Sequence, residues 1–173
     1  AFLRRFPTWQ ALARATLEDV LREWQGLGYY RRARFLHQAA RTIASSHGGA
    51  LPATPEQLVT LPGIGKATAA SIAAFAFDYP AVFIETNIRS VFLHHFFADR
   101  RDVDDARLVP LVAAALPNRG AGEWYSALMD YGVWLKKQYE NPSRRSRHHV
   151  RQSPFEGSVR QVRGRILRAL LDE

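Results

Sequence analysis

Apolar residues recur every three or four positions along almost the whole chain, which is the spacing of one face of an α-helix. The longest such stretch runs from Tyr29 to about Ser46, with apolar side chains at positions 33, 36, 40 and 43. No stretch alternates apolar and polar residues over the length of a strand, and no internal repeat is present. The pattern therefore predicts a compact all-α fold.

Capping residues and glycines predict where the other helices begin and end. Thr8 can cap a first helix, and Thr16 followed by Asp19 has the spacing of a capping box. Gly26 and Gly28 end the helix that follows Thr16. Further helices are predicted to begin at 54–55 and to cover 66–77, 86–97, 104–116, 123–139 and 159–171, with an extended piece over 81–85 and an irregular segment over 141–154.

The turn LPGIG, over 61–65, joins two predicted helices and forms a hairpin over about 55–77. Gly63 and Gly65 allow the backbone to approach a ligand closely. The amides of Gly65, Lys66 and Ala67 stand at the start of the second helix, where free N–H groups attract anions. Lys66 adds a full positive charge, so the hairpin is predicted to hold a DNA phosphate. A turn that merely joins two helices is the alternative.

The charge of the chain is strongly positive and unevenly placed. The chain has 24 Lys and Arg against 16 Asp and Glu, a net charge of +8, and eight arginines lie between residues 141 and 168 against one acid. This concentration favours a phosphate-docking surface over a merely solvated basic face. The candidate DNA contacts in this segment are Arg144, Arg145 and Arg147.

The chain contains no cysteine, which excludes disulfides, thiolate metal sites and cysteine nucleophiles. This composition is typical of an intracellular protein. The longest apolar stretches, such as 67–77, are too short to span a bilayer and contain polar residues, so no membrane association is expected.

These segments together resemble the helix-hairpin-helix superfamily of base-excision DNA glycosylases. LPGIGKATAASIAAF (61–75) resembles the hairpin of that superfamily, and EWQGLGYYRRARFLHQAA (23–40) resembles the MutY-type adenine glycosylases. EWYSALMDYGVWLKK (123–137) and FEGSVRQVRGRILRALL (155–171) resemble later segments. The resemblance implies a two-lobed fold with a cleft between the lobes: 8–97 form one lobe, and 98–173 with 1–7 form the second, which includes the basic tail 141–168.

The resemblance also implies a catalytic carboxylate about twenty residues beyond the hairpin, where an extended segment meets a helix. FIETNIRSVF (83–92) places Glu85 there, where the family has Asp, with Asn87 as the neighbour that shapes the site. A carboxylate would stabilise the positive charge on the sugar as the flipped base departs. Two alternatives remain: Glu85 only caps the helix in a branch that has lost activity, or Asp130 is the carboxylate.

The resemblance bears on cofactors as well. Some relatives use a hairpin lysine to form a Schiff base, but Ala67 occupies that position here, which implies a monofunctional enzyme that uses water. The family's iron–sulfur cluster needs four cysteines, so no cluster is expected. A structural K⁺ or Na⁺ bound by the backbone carbonyls of Val59, Leu61 and Ile64 is implied instead.

Two adjacent tyrosines follow the glycines at 26 and 28. Aromatic packing at a helix start is one explanation for them. The resemblance implies that Tyr29, in preference to Tyr30, intercalates beside the base opposite the lesion, with Arg31 near the DNA backbone.

We therefore expect a monomeric, cytoplasmic, nucleoid-associated DNA glycosylase that acts on double-stranded DNA and excises adenine opposite 8-oxoguanine or guanine. A uracil, thymine or hypoxanthine mismatch glycosylase is the alternative enzyme, and a non-catalytic helix-hairpin-helix DNA-binding module is the alternative class. The family's general acid lies upstream of the part that matches 1–7. Because the sequence opens without Met inside a predicted helix, we expect that an upstream helix is missing.

Overall fold

The computed structural model describes residues 1–172, and most of them are helical. The helices are α1 Phe2–Arg5, α2 Trp9–Arg14, α3 Leu17–Glu23, α4 Tyr30–Ser46, α5 Pro55–Leu58, α6 Lys66–Phe77, α7 Thr86–Phe96, α8 Val109–Ala115, α9 Ala121–Gln138 and α10 Val159–Asp172. Within residues 1–172 the extended pairing is limited to one parallel bridge between Val103 and Ser146. The predicted all-α fold is confirmed.

The predicted capping residues fold as expected. Thr8 accepts a hydrogen bond from the amide of Ala11 at 3.1 Å, and Thr16 and Asp19 form both halves of a capping box. The helix predicted over 104–116 is instead divided into a 3-10 turn, Asp105–Arg107, and α8. Pro110 has no amide to continue the turn, so the regular helix restarts at Val109.

The chain divides into two compact units, of which the first contains residues 1–52, 60–64 and the described residues from 152 onward. Its core is built by Leu12, Val20, Trp24 and Ala33, which are buried where α2 and α3 pack on α4. Helix α10 contacts α3 in the same unit.

The second unit contains residues 53–59 and 65–151. Its core centres on α7, whose Ile88 and Leu93 are fully buried, and on α9, which packs along α7. Gly132 of α9 lies so close to α7 that a Cβ would overlap the backbone of Asn87. The core of this unit therefore contains residues from both sides of position 97.

None of the helices within residues 1–172 combines the length and the apolar character that crossing a bilayer would require.

Candidate active site and nucleic-acid interface

An extended segment leads to Glu85 at the start of α7, and a buried tyrosine holds the backbone of this segment in place. The hydroxyl of Tyr125 donates to the carbonyl of Ala81 at 3.0 Å and accepts from the amide of Phe83 at 3.3 Å. The ring of Phe83 packs against that of Tyr125, with 4.1 Å between their centroids. Burial raises the pKa of Tyr125, so its hydroxyl keeps the proton that bonds Ala81. The backbone that leads to Glu85 is therefore held on both sides of Val82.

Glu85 is the N-cap residue of α7 and is half-buried. One carboxylate oxygen, Oε1, accepts hydrogen bonds from the amides of Asn87 at 2.6 Å and Ile88 at 3.0 Å. Within residues 1–172 no group donates to the other oxygen, Oε2. Because two backbone amides hold the carboxylate over the positive end of a helix, its position is fixed while one oxygen stays available.

Asn87 lies beside Glu85, as the sequence predicts, and is held by a residue that the sequence analysis missed. The Nζ atom of Lys136 donates to Oδ1 of Asn87 at 2.7 Å. The structure thus brings Glu85, Asn87 and Lys136 together, although Lys136 is 49 positions from Asn87 in the sequence.

The position of Lys136 on α9 explains its place in this site. Gly132 packs against the backbone of Asn87, and Lys136 follows one helical turn later on the same face. Partial burial lowers the pKa of Lys136; the negative charge of Glu85 opposes this effect and Arg89 adds to it. A lysine one turn beyond a helix glycine on an otherwise apolar face is the sequence signal that could have revealed this contact.

Two further contacts anchor the start of α7. The guanidinium of Arg89 donates to both carboxylate oxygens of Asp105, at 2.7 and 2.6 Å, in a largely buried bidentate pair. Ser90 and Ser143 are buried, their hydroxyl oxygens lie 2.6 Å apart, and each bonds the carbonyl of Thr86. These bonds join the segment after α9 directly to the first turn of α7.

The turn of the hairpin ends where the sequence predicts, at the start of α6. Gly65 is the N-cap residue and has no side chain with which to cap the helix. Lys66, Ala67 and Thr68 are exposed, and the first amide that bonds within the helix is that of Ala69, which donates to Gly65 at 2.8 Å. The amides before Ala69 therefore have no acceptor within the helix and can receive an anion.

Gly63, a predicted DNA contact, has a structural reason to be glycine. Its φ is +78°, and a Cβ there would overlap the side chain of Phe35. Gly65 differs, because a Cβ at that position would meet open space and its φ is −87°. Of these two glycines, Gly63 is required by packing against Phe35, whereas the space beside Gly65 is open to a ligand.

The loop before α4 holds Tyr29 in a left-handed conformation, with φ 49° and ψ 52°. The indole N–H of Trp24 donates to the carbonyl of Gly28 at 2.9 Å and closes the loop. Tyr29 is 63% exposed, and its hydroxyl accepts a hydrogen bond from Gln152 at 3.1 Å. A non-glycine residue with positive φ lowers the free energy of unfolding by on the order of 1 kcal/mol, so the exposed placement of Tyr29 is slightly destabilising.

The neighbours of Tyr29 are placed differently from it. Tyr30 is half-buried and packs against the core of the first unit. Arg31 is exposed, and its guanidinium lies over the ring of Phe35 at 5.2 Å. Tyr30 is thus less accessible than Tyr29, whereas Arg31 is exposed.

The three arginines predicted in the basic segment have unequal surroundings. Arg147 bonds both Asp102 and Asp104, at 2.9 and 3.2 Å, and holds the pKa of Asp102 below its ordinary value. Arg144 pairs with Glu140 at 3.1 Å and is exposed. Arg147 therefore joins two loops, in addition to any contact it makes with DNA.

Arg145 is the exception, because its Nη1 atom is buried and has no acceptor within residues 1–172. Arg144 and Arg145 line a polar groove of about 330 Å³ together with Arg100 and Arg101, and the carboxylates of Asp99 and Glu140 line it as well. A buried cationic donor without an acceptor is unfavourable, so Nη1 of Arg145 is an unsatisfied group beside this groove.

The donor groups of the chain do not fit an iron–sulfur cluster, because the chain has no cysteine to supply thiolates. Within residues 1–172 no cluster of three or more His, Asp or Glu side chains is arranged to hold a metal ion. In the hairpin turn the carbonyl of Leu61 already accepts a hydrogen bond from the amide of Ile64 at 3.2 Å.

The chain is similar in sequence to base excision DNA repair proteins. The family described as "HhH-GPD superfamily base excision DNA repair protein" matches residues 1–109. The adenine DNA glycosylase of Mycobacterium tuberculosis is 37% identical over 194 aligned residues, which cover 98% of this chain. The chain spans 62% of the length of that relative. The human adenine DNA glycosylase is 42% identical over 91 residues, which cover 52% of this chain and 17% of the human protein.

Solved structures show the same fold. A thermostable thymine-DNA glycosylase matches with a TM-score of 0.67 at 19% identity, covering 82% of this chain and 66% of that chain. Endonuclease III in a non-covalent complex with DNA matches with a TM-score of 0.59 at 20% identity, covering 99% of this chain and 74% of that chain. The family match over most of the chain, the hairpin before α6 and the shared helical fold lead to one conclusion: the chain belongs to the HhH-GPD superfamily of base excision DNA repair proteins.

Proposed function

We propose that the chain is the catalytic part of a monofunctional DNA glycosylase that flips a mismatched base out of duplex DNA and excises it, with adenine opposite 8-oxoguanine or guanine as its substrate. The adenine DNA glycosylases that align with nearly the whole chain support this choice of base.

The observation that carries the proposal is the held carboxylate of Glu85. In glycosidic bond cleavage the sugar becomes oxocarbenium-like, and a fixed negative charge beside it lowers the barrier. Glu85 is tied through Oε1 to two backbone amides, so it needs no reorganisation when the positive charge develops. Its free Oε2 can face the sugar or orient the attacking water.

The DNA contacts are distributed over three surfaces, each of which can bind the backbone or a base. The exposed amides and Lys66 at the start of α6 receive a phosphate, as does the groove lined by Arg144 and Arg145. Tyr29 is the side chain presented for insertion beside the orphaned base. A structural K⁺ or Na⁺ at the hairpin would be held by the backbone carbonyls of Val59, Leu61 and Ile64, where it would add positive charge.

The protein acts as a monomer on the DNA of the cytoplasm, in association with the nucleoid. Its basic charge favours such an encounter, because each phosphate contact releases counterions.

Base release distinguishes the enzyme from a binding module. The full-length protein is incubated with labelled duplexes that carry A:8-oxoG, A:G, U:G, T:G or hypoxanthine, and alkali-labile abasic sites are measured. We expect cleavage after alkali in the A:8-oxoG and A:G duplexes only. Release of uracil, thymine or hypoxanthine would overturn the choice of adenine. Duplex binding without release from any substrate would overturn the enzyme and leave a DNA-binding module.

A further inference from the structure

We propose that Lys136 is a positioning residue of the excision site: its ammonium orients the amide of Asn87 and neutralises part of the charge of Glu85. This inference rests on the proposed function, and it assigns a role to a residue outside both the hairpin and the capped turn of α7.

The contact is specific in its direction. An ammonium group only donates hydrogen bonds, so Asn87 must present Oδ1, and not its amide nitrogen, to Lys136. The amide group at Nδ2 then keeps both of its N–H groups, and within residues 1–172 neither has an acceptor. Lys136 thereby fixes the side-chain amide of Asn87 in one orientation, in which it can only donate. This donor lies beside the carboxylate of Glu85, which accepts a hydrogen bond from the backbone amide of Asn87.

Such a donor suits the electron-rich oxygens of a nucleotide or the attacking water. A free asparagine can exchange the two ends of its amide at little cost, and half of its orientations would present an acceptor to the substrate. The 2.7 Å bond to a half-buried ammonium removes that freedom.

The charges around Lys136 fit this role. Glu85 and Arg89 from α7 act on Lys136 electrostatically, and the charge of Arg89 is balanced by its bidentate pair with Asp105. Lys136 is thus the cation left to balance Glu85. The same α9 helix carries Lys137 at the next position, where the side chain is exposed. Lys137 is therefore a matched control of identical charge.

Single-turnover excision and its pH dependence test the role. We expect K136M to slow excision by up to about 10²-fold, since a misplaced group in a site is costly, and K136R to restore most of the rate. K137M should match the wild type.

The pH profile of the rate tests the same role. In the wild type the rate should fall at alkaline pH as Lys136 loses its proton, and the pKa of this fall should lie below the ordinary range of lysine because burial lowers the pKa of Lys136. K136R should lack this alkaline limb, because arginine stays protonated. A K136M variant with the wild-type rate and pH profile would overturn the inference.

A second measurement does not depend on excision. The chain has three lysines, Lys66, Lys136 and Lys137, so the side-chain signals of ¹³C-labelled lysine can be assigned by their loss in single variants. We expect Lys136 to titrate below the ordinary range of lysine and E85Q to lower its pKa further, because the opposing carboxylate charge is removed. Titration of Lys136 in the ordinary range of lysine, unaffected by E85Q, would overturn the inference. Absence of base release with these shifts present would instead overturn the proposed function alone.

Discussion

Helices α6 and α7 both begin in the second unit, but a side chain caps the first amides of α7 and no side chain caps those of α6. Helix α6 follows Gly65, which has no side chain to cap it, and its exposed first turn carries Lys66. Helix α7 follows Glu85, whose own carboxylate accepts from the amides of Asn87 and Ile88. One helix end is therefore open to an external anion, whereas the other is closed by an anion that belongs to the chain.

The difference shows how one physical effect can serve two purposes. The partial positive charge at a helix N-terminus attracts whichever anion reaches it. At α6 that anion is a phosphate in the proposed function, and the end would then serve binding. At α7 the carboxylate is already in place, so the end serves to fix a charged group.

The largest effect is expected from Glu85→Gln. Glutamine keeps the length and an acceptor oxygen for the two amides, so folding and duplex affinity should change little. Excision should slow by about 10²–10³-fold, since one well-placed electrostatic contact is lost. Single-turnover kinetics with enzyme in excess measure this, with thermal melting as the control for folding.

Gly63→Ala and Gly65→Ala separate packing from access in the turn before α6. A methyl group at Gly63 meets Phe35 and must adopt a positive φ, which should cost about 1–3 kcal/mol of unfolding free energy. A methyl group at Gly65 meets open space, so stability should change by less than about 0.5 kcal/mol while DNA affinity falls. Chemical denaturation reports both variants. Equal losses of stability would contradict the difference between the two glycines.

Lys66→Glu breaks the open end of α6. We expect duplex affinity to fall by about tenfold, on the order of 1.4 kcal/mol, because one phosphate contact becomes repulsive. The dependence of binding on salt should also weaken by roughly one released counterion. Fluorescence anisotropy with undamaged duplex measures both. Lys137→Glu makes the same charge change on α9 and should weaken binding less; equal effects would mean that only net charge matters.

Glu85→Asp gives the smallest expected effect. Aspartate is a common N-cap residue, so α7 should remain stable. Its shorter arm draws the carboxylate toward the backbone amides and away from the position that Glu85 occupies, so excision should slow by several-fold. Single-turnover kinetics measure whether the excision rate falls or rises. A Glu85→Asp variant faster than the wild type would show that the site is not adapted to glutamate.

The elements that sequence reasoning predicted well carry local signals. Thr16 and Asp19 lie three positions apart, and the glycines of the hairpin and the lysine after them are contiguous. The start of α7 at Glu85 was likewise marked by the change from an extended apolar run to a helical pattern. In each case the interacting groups lie within one turn of chain, so spacing alone specifies the contact.

The contacts that sequence reasoning missed join residues that are far apart in the chain. Lys136 reaches Asn87 because α9 packs closely on α7 at Gly132. Ser143 reaches Ser90 because the 3-10 turn Pro142–Arg145 packs on α7. Arg147 has the residue type of a DNA contact, but its pairing with Asp102 and Asp104 depends on how two loops meet. Apart from the lysine that follows Gly132 by one helical turn, residue type and local spacing do not indicate which of these residues meet.

The central claim is that the closed end of α7 serves chemistry and the open end of α6 serves binding. The most direct test measures duplex affinity and the excision rate at saturating enzyme on the same two variants, Glu85→Gln and Lys66→Glu. We predict that Glu85→Gln loses rate by about 10²–10³-fold and keeps its affinity, whereas Lys66→Glu loses affinity and keeps its rate at saturation. A Glu85→Gln variant that excises at the wild-type rate, or two variants that each lose both properties equally, would contradict the account.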